Sequence, residues 1–364
     1  MVAGDGLDAE GVATLFAAAE AEVASGRLPS CQVAVARGDA LDVATFGAPD
    51  NARYMVFSLT KAMVAGAMWV LFGEGALSPS DRVADRIAEF GTNGKDAVTV
   101  EHLLTHTAGF PNAPMRPDEG ATSAGRVERF STWQLEWEPG TQTSYHPSSA
   151  HWVLAELIER LGGMDYRDFV TRRVLEPLGL SRWRLGVPVA EQADILDVTI
   201  VGQQADHSLA PGEVGSTFVL RFNEPAARAI GVPGAGAAGD ATDIVQYFQA
   251  LLRADERVWE PEVVRDATSV IRNRLPDPPT MIPANRTLGL KVAGDDGKAW
   301  MREVGRAAGP RTFVTSAVAG QVAWADPDTG VSFCYLTNGC DADVVQSFLR
   351  ASQLSTLAAG CAGS

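Results

Sequence analysis

The residues of this chain best suited to chemistry are Ser58 and Lys61, which stand three positions apart in the run Ser-Leu-Thr-Lys. Residues at this spacing share one face of a helix, so a helix here would bring the serine hydroxyl beside the lysine amine. A serine used as a nucleophile needs a neighbouring base of this kind. The S-x-x-K spacing alone is weak evidence, because an N-cap serine followed by a solvated lysine produces the same pattern.

The segment that follows favours the catalytic interpretation. Residues 61–71 (KAMVAGAMWVL) are apolar almost all round, and Gly73 and Gly75 mark the end of a predicted helix. A solvated lysine does not suit such a helix, so Lys61 needs a polar partner or a lowered pKa. We expect Ser58 in the first turn, near the positive end of the helix dipole.

Size and composition are those of a globular protein. The 364 residues, 46% of them hydrophobic, can bury a large core and predict two lobes. A net charge of -15 disfavours nucleic acid and anionic membrane as partners. We find no leader pattern and no apolar run of about 20 residues, and therefore expect a cytoplasmic location and no membrane partner. Four scattered cysteines predict free thiols, and no metal or cofactor is expected.

The order of predicted elements indicates an α+β fold: an antiparallel sheet flanked by terminal helices, with an inserted all-helical lobe. Residues 1–84 and 230–364 would form a discontinuous sheet domain and residues 85–229 a mainly helical domain, with the active site in the cleft between them. The predicted helices are 7–26, 150–161, 165–176, 241–253 and about 343–358, and the predicted strands are 30–38, 41–47, 286–293, 311–325 and 331–337.

Two further patterns narrow the choice of site. No G-x-S-x-G occurs in the chain, which excludes the nucleophile elbow of an α/β-hydrolase. His102 and His106 stand four apart, a spacing that metal ligands use on helices, but no third ligand accompanies them. We therefore predict that both are structural histidines near a helix end.

Further motifs follow the Ser58–Lys61 pair in a fixed order. They are residues 100–109 (VEHLLTHTAG), 138–141 (EPGT), 145–147 (YHP), 321–327 (QVAWADP) and 335–338 (YLTN). Together they resemble the serine β-lactamase superfamily, in its class C, penicillin-binding-protein and family VIII carboxylesterase branch, over about residues 30 to 345. The resemblance implies that Ser58 attacks an acyl carbonyl and that Lys61 and Tyr145 share the role of base and proton shuttle.

The resemblance also implies the surroundings of the reacting carbonyl. The backbone N–H groups of Ser58 and Val318 would hold the oxyanion. The residues implied to bind substrate are Phe57, His146, Thr315, Ser316 and Ala317. A positive charge lowers the pKa of a neighbouring tyrosine, so a Tyr145 phenolate next to a Lys61 ammonium is plausible chemistry.

Departures from the family pattern bear on the substrate. The motif Y-x-N ends in Pro147 here, and the third motif, normally K-T-G or H-x-G on the edge strand, falls on Thr315–Ala317 without its cation. This loss disfavours penicillins, which carry a carboxylate, unless Arg306 or Arg311 replaces the charge. The Gly-rich stretch 231–239 is expected either to line the cleft wall or to be a flexible connection.

These observations predict a serine carboxylesterase-like hydrolase that acts on a small-molecule ester or amide through an acyl-Ser58 intermediate. The alternative is an acyltransferase that passes the acyl group to an amine or alcohol in a biosynthetic pathway. A β-lactamase or D,D-peptidase, and a non-catalytic binding protein of the same fold, rank lower. The acyl group, the acceptor and the oligomeric state are left open.

Overall fold

The computed structural model describes residues 6–202, 216–278 and 280–363. The helices are α1 (Ala9–Ala24), α2 (Thr60–Gly73), α3 (Val100–Leu104), α4 (Pro117–Gly120), α5 (Ser123–Thr132), α6 (Ser149–Gly162), α7 (Tyr166–Val170), α8 (Ser216–Leu220), α9 (Pro225–Ile230), α10 (Ala241–Arg253), α11 (Pro261–Ser269) and α12 (Val344–Ala359). The strands are β1 (Cys31–Arg37), β2 (Ala40–Phe46), β3 (Tyr54–Met55), β4 (Arg184–Leu185), β5 (Thr199–Val201), β6 (Ala237–Gly239), β7 (Pro276–Asp277), β8 (Ile282–Pro283), β9 (Lys291–Val292), β10 (Phe313–Ser316), β11 (Val322–Ala325), β12 (Val331–Thr337) and β13 (Gly339–Asp341).

The main sheet joins both ends of the chain. Its six strands are antiparallel and lie in the order β2-β1-β12-β11-β10-β9. In the central pair, Val33 of β1 lies opposite Tyr335 of β12. Every residue of β12 is buried, as expected of a strand covered on both faces. The N-terminal hairpin and the C-terminal strands therefore form one sheet, as the sequence predicts.

Helices cover both faces of this sheet. The terminal helices α1 and α12 pack together on one face, where Leu15 and Leu354 join its apolar core. Helix α10 lies on the other face against β1, β11 and β12. Its N-terminus is capped by the Asp240 side chain, which accepts a hydrogen bond from the Asp243 N–H. The predicted α+β fold with flanking terminal helices is confirmed.

Helix α2 packs against α6, α7 and α11. It is buried from Thr60 to Leu71. Two of its carbonyl oxygens accept hydrogen bonds from buried aromatic side chains of later segments: the Tyr247 hydroxyl bonds the Ala62 oxygen at 2.9 Å, and the Trp259 indole bonds the Gly66 oxygen at 2.9 Å. These bonds fix the helix whose N-terminus carries Ser58 and Lys61.

Three predicted elements differ from the structure. The predicted helix 165–176 is an α-helix only over Tyr166–Val170 and continues as a π-helical turn, Thr171–Leu175. The predicted strand 311–325 is a hairpin of β10 and β11, whose turn places Ala319 at a φ of 70°. The predicted strand 286–293 is wrong except for Lys291–Val292, because the Thr287 N–H bonds the Leu290 oxygen in a turn. The four cysteines are unpaired and buried. Across the described ranges, none of the helices has the length and apolarity needed to cross a membrane.

Candidate active site

Ser58 lies in a single 3-10 turn, Phe57–Leu59, that leads directly into α2. The residue before it, Phe57, has a φ of 42°, a conformation that costs free energy for any residue with a side chain. Packing holds it there: the buried Phe57 ring meets the Phe222 ring edge to face at 5.8 Å. Ser58 itself remains partly exposed. The backbone thus presents one hydroxyl toward solvent from a rigid, buried turn.

The structure brings Ser58, Lys61 and Tyr145 together. The Lys61 Nζ lies 3.2 Å from the Ser58 Oγ and donates a hydrogen bond to it. The Tyr145 hydroxyl lies 2.7 Å from the same Oγ. The Lys61 Nζ also stands 4.9 Å from the centre of the Tyr145 ring. The serine oxygen is therefore within reach of two groups able to take its proton, which is the geometry that nucleophilic catalysis requires.

Two main-chain oxygens hold Lys61, whose residue is only 4% exposed. Its Nζ donates to the Pro147 carbonyl at 2.9 Å and to the Gly234 carbonyl at 2.7 Å. With Ser58, these acceptors satisfy all three protons of an ammonium. A Cβ on Gly234 would lie 2.7 Å from the Pro147 oxygen and 3.3 Å from the Lys61 Nζ, so this position favours glycine. The Gly-rich stretch 231–239 therefore contacts the site.

The charges of Lys61 and Tyr145 depend on each other. Burial lowers the pKa of Lys61, although the neighbouring Tyr145 opposes this effect. Burial alone would raise the pKa of Tyr145, but the attraction of the Lys61 ammonium and the hydrogen bonds from Lys61 and Ser58 outweigh it, so the pKa is lowered. Both shifts favour forms that can accept a proton from Ser58 near neutral pH, the amine or the phenolate.

Three buried histidines form a layer beneath Tyr145. The His106 ring lies 4.8 Å from the Tyr145 ring and within 6 Å of the rings of His146 and His151. The His106 Nδ1 accepts a hydrogen bond from the His146 N–H at 3.0 Å. Burial lowers the pKa of His106 and His151 well below the ordinary value, and that of His146 to about 4. The layer is neutral at pH 7 and supports Tyr145.

His102 lies outside this layer. Its Nδ1 accepts a hydrogen bond from the Thr99 N–H while its own N–H bonds the Thr99 hydroxyl, and together they cap α3. A helix-capping role agrees with the structural role predicted for it. Among the residues that the structure describes, no three His, Cys, Asp or Glu side chains are grouped to hold a metal ion.

Two residues predicted to bind substrate are buried in the protein. His146 is fully buried, and its ring bonds the Phe110 N–H and the Ser144 oxygen. Phe57 is 1% exposed. Neither presents a surface to a ligand, because both side chains are buried.

The third motif lies on β10, whose strand packs against the turn that carries Ser58. Thr315 is buried, Ser316 and Ala317 are partly exposed, and the partly exposed Val318 begins the turn to β11. The Ser316 hydroxyl accepts a hydrogen bond from the Lys291 Nζ at 3.1 Å. The roles of Thr315, Ser316, Ala317 and Val318 toward substrate and oxyanion stay predictions.

The charged groups near this motif differ from those considered in the sequence. Arg306 stacks on Trp300, and Arg311 forms an exposed ion pair with Asp328. Lys291 reaches the motif from β9, and Glu303 pairs with it at 2.7 Å. Arg286 lies over the Tyr145 ring, 5.7 Å from its centre. Sequence reasoning missed these three residues, because Arg286 and Lys291 fall in a segment predicted as a regular strand and no motif marks any of the three.

Known proteins resemble this chain in sequence and in fold. It is 25% identical over 310 residues to the esterase/beta-lactamase LipL of Mycobacterium tuberculosis, covering 78% of this chain and 68% of LipL. A family VIII carboxylesterase structure superposes with a TM-score of 0.78 at 21% identity, covering 96% of this chain and 99% of that one. The structure of EstCE1, a hydrolase with promiscuous acyltransferase activity, superposes with a TM-score of 0.73 at 19% identity, covering 95% and 99%.

These structural likenesses show a shared fold, that of β-lactamases and transpeptidases. The family itself is shown by the sequence, because the model of the beta-lactamase family matches residues 15–354, which is most of the chain. The match spans the serine, the lysine and the tyrosine whose side chains meet at the site. This chain belongs to the beta-lactamase family of serine hydrolases.

Proposed function

We propose that this protein is a serine carboxylesterase-like hydrolase that cleaves a carboxylic ester or amide through an acyl-Ser58 intermediate. One observation carries the proposal. The Ser58 Oγ, partly open to solvent, lies 3.2 Å from the Lys61 Nζ and 2.7 Å from the Tyr145 hydroxyl. A hydroxyl between an amine and a phenol of lowered pKa can lose its proton as it attacks.

Acylation transfers one proton and exchanges one bond. The Ser58 Oγ forms a bond to the acyl carbon while its proton passes to Tyr145 or, through it, to Lys61. The tetrahedral intermediate then collapses, the bond from carbon to the leaving oxygen or nitrogen breaks, and the leaving group takes that proton. The oxyanion needs two donors, and the proposed pair is the backbone N–H of Ser58 and of Val318.

Deacylation repeats these steps with water. The same base takes a proton from the attacking water, the acid product forms, and Ser58 regains its proton. Lys61 is held by the carbonyls of Pro147 and Gly234 throughout, so its amine stays at hydrogen-bonding distance from the serine. A fixed distance of this kind lowers the entropic cost of both steps.

The electrostatics of the third motif support neutral substrates. The ammonium that reaches Ser316 belongs to Lys291, and Glu303 already neutralises it at 2.7 Å. Thr315 stands where relatives carry a lysine or histidine, and it is buried. A penicillin carboxylate would therefore find no free cation on this strand, which ranks β-lactamase and D,D-peptidase activity below esterase activity.

Acyl transfer to an amine or alcohol is the second candidate. EstCE1, which shares the fold, is a hydrolase with promiscuous acyltransferase activity. The chemistry needs the same acyl-Ser58 and differs only in the acceptor that attacks it. Adding amines or alcohols to an ester assay distinguishes the two, because a transferase yields the amide or new ester in place of the acid.

The test of the proposal is covalent labelling by a fluorophosphonate together with turnover of short nitrophenyl esters. Wild-type protein should label on Ser58, and Ser58→Ala should lose both labelling and turnover. The exposed Ser131→Ala serves as the matched control and should keep both. Tyr145→Phe should lower turnover by a factor of about 100 or more. Wild-type protein that neither labels nor turns over esters would favour a non-catalytic binding protein.

A further inference from the structure

Arg286 places a second positive charge beside the proposed base pair. Its guanidinium carbon lies 5.7 Å from the centre of the Tyr145 ring, and the residue is only 9% exposed. The Lys61 Nζ lies 4.9 Å from the same ring centre. The tyrosine therefore has two cationic side chains within 6 Å. Arg286 belongs to the segment that was expected to be a strand and is instead a turn before β9.

The charge of Arg286 is incompletely neutralised. Its Nη2 bonds one carboxylate oxygen of Asp277 at 3.2 Å, a monodentate contact. Its Nε is buried and has no hydrogen-bond partner among the described residues. A structural arginine normally satisfies its buried N–H groups, since each unpaired donor costs free energy. An arginine kept here with a buried free donor points to a role for its charge.

Few other charges face the pair. The neighbouring His106, His146 and His151 are held neutral by burial. Lys291 and Glu303 form a pair of opposite charges at 2.7 Å, so their fields largely cancel. Asp277 contacts Arg286 through a single bond. Among the described residues, Arg286 is thus the charge outside the pair that acts on both Lys61 and Tyr145.

We propose, on the basis of the proposed acyl-Ser58 chemistry, that Arg286 is an electrostatic positioning residue that biases Lys61 and Tyr145 toward their proton-accepting forms. A guanidinium cation repels the ammonium of Lys61 and attracts the phenolate of Tyr145. Both effects remove protons from the pair.

The direction of the expected pH shift is the same whether Lys61 or Tyr145 is the base. The Arg286 charge lowers the pKa of Lys61, after the larger effect of burial, and it also lowers that of Tyr145, after the larger effects of Lys61 and Ser58. Removing the charge raises both. The acid limb of the activity profile should therefore move to higher pH, whichever residue takes the proton. One unit charge about 6 Å away, at an effective dielectric constant near 20, corresponds to roughly 1 to 2 pH units.

Two measurements test the inference in Arg286→Gln, Arg286→Lys and Asp277→Asn. The first is the pH dependence of kcat/KM for a nitrophenyl ester and of fluorophosphonate labelling. The second is the ultraviolet absorbance of tyrosinate, which does not depend on activity. Burial raises the pKa of the four other tyrosines, so tyrosinate formed at moderate pH reports Tyr145. Each protein is compared with the same protein carrying Tyr145→Phe.

We expect Arg286→Gln to move the acid limb and the Tyr145 titration up by about 1 to 2 pH units, with activity at high pH largely retained. Arg286→Lys should shift both less, because it keeps the charge, and it decides the question if Arg286→Gln does not fold. Asp277→Asn removes the ion pair but keeps the charge, and should move neither upward.

Unchanged titrations in Arg286→Gln would overturn the inference. An upward shift of equal size in Asp277→Asn would also overturn it, because the ion pair and not the charge would then be responsible. The proposed function fails separately: if wild-type protein neither labels nor cleaves esters, the tyrosinate titration still decides whether Arg286 acts on Tyr145.

Discussion

Acidification should destabilise this protein through the histidine layer beneath Tyr145, and His146 allows the size of the effect to be worked out. Burial lowers the pKa of His146 from 6.5 to about 4 in the folded protein. The unfolded chain therefore binds the proton more readily than the folded one. Stability is fully present above about pH 6.5 and is lost as the pH falls toward 4. Linkage gives a loss of about 2 kcal/mol at about pH 5 and about 3 kcal/mol once both states are protonated.

The contacts of His146 explain this preference for the neutral ring. Its Nε2 accepts a hydrogen bond from the Phe110 N–H at 3.2 Å, and its Nδ1 lies 2.7 Å from the Ser144 oxygen. Nδ1 is therefore the protonated nitrogen and Nε2 the acceptor. A second proton on Nε2 would break the bond to Phe110 and leave a buried charge near Arg286.

The assay is urea unfolding at about pH 7.5 and about pH 5, on wild-type protein and on His146→Asn. Asparagine cannot titrate but can still donate to the Ser144 oxygen. The loss of stability on acidification should be smaller in the variant by about 2 kcal/mol. Proton NMR of the wild-type imidazoles gives an independent readout, since His146 should remain neutral at pH 5. An equal loss in both proteins, or a His146 ring that titrates near pH 6.5, would refute the reasoning.

Two further predictions follow from single contacts. Gly234→Ala should lower turnover by at least about tenfold, because its Cβ would displace the Pro147 oxygen and the Lys61 Nζ. The control Gly6→Ala, which has open space around its Cβ, should leave turnover unchanged. A fully active Gly234→Ala would show that the lysine tolerates displacement. Arg126→Leu should lower the free energy of unfolding by about 2 to 3 kcal/mol, measured in urea, because it removes one of the two arginines that pair with the fully buried carboxylate of Glu156 and leaves Arg160 as the other. A loss no larger than that of an exposed arginine variant would contradict this.

The sequence predicts those parts of the fold that local patterns determine. Helix α10 and strand β12 have the predicted bounds, because a capping aspartate and the turn 326–330 mark their limits. Lys61 was expected to need a polar partner or a lowered pKa because its helix is apolar almost all round, and the structure shows both. The hydrophobic period and the turn residues are sufficient to predict these elements.

Other parts of the fold depend on contacts between residues that are distant in the sequence. Arg286 and Glu303 carry no motif, and their places near Tyr145 and Lys291 arise only when β9 joins β10. The hairpin turn between β10 and β11 contains Ala319 in a left-handed conformation where a glycine would have been the signal. The burial of His146 could not be read from its position beside Tyr145, since adjacent residues of a loop can face opposite ways.

The attachment of Lys61 to the main chain has a consequence for protein engineering. Because the carbonyls of Pro147 and Gly234 hold its amine, the residue at position 147 can be exchanged without removing an acceptor. A side chain at position 234, by contrast, would clash with the Pro147 oxygen. A library that varies the partly exposed positions 147, 316 and 318 can therefore search for new substrates while Lys61 keeps both main-chain acceptors.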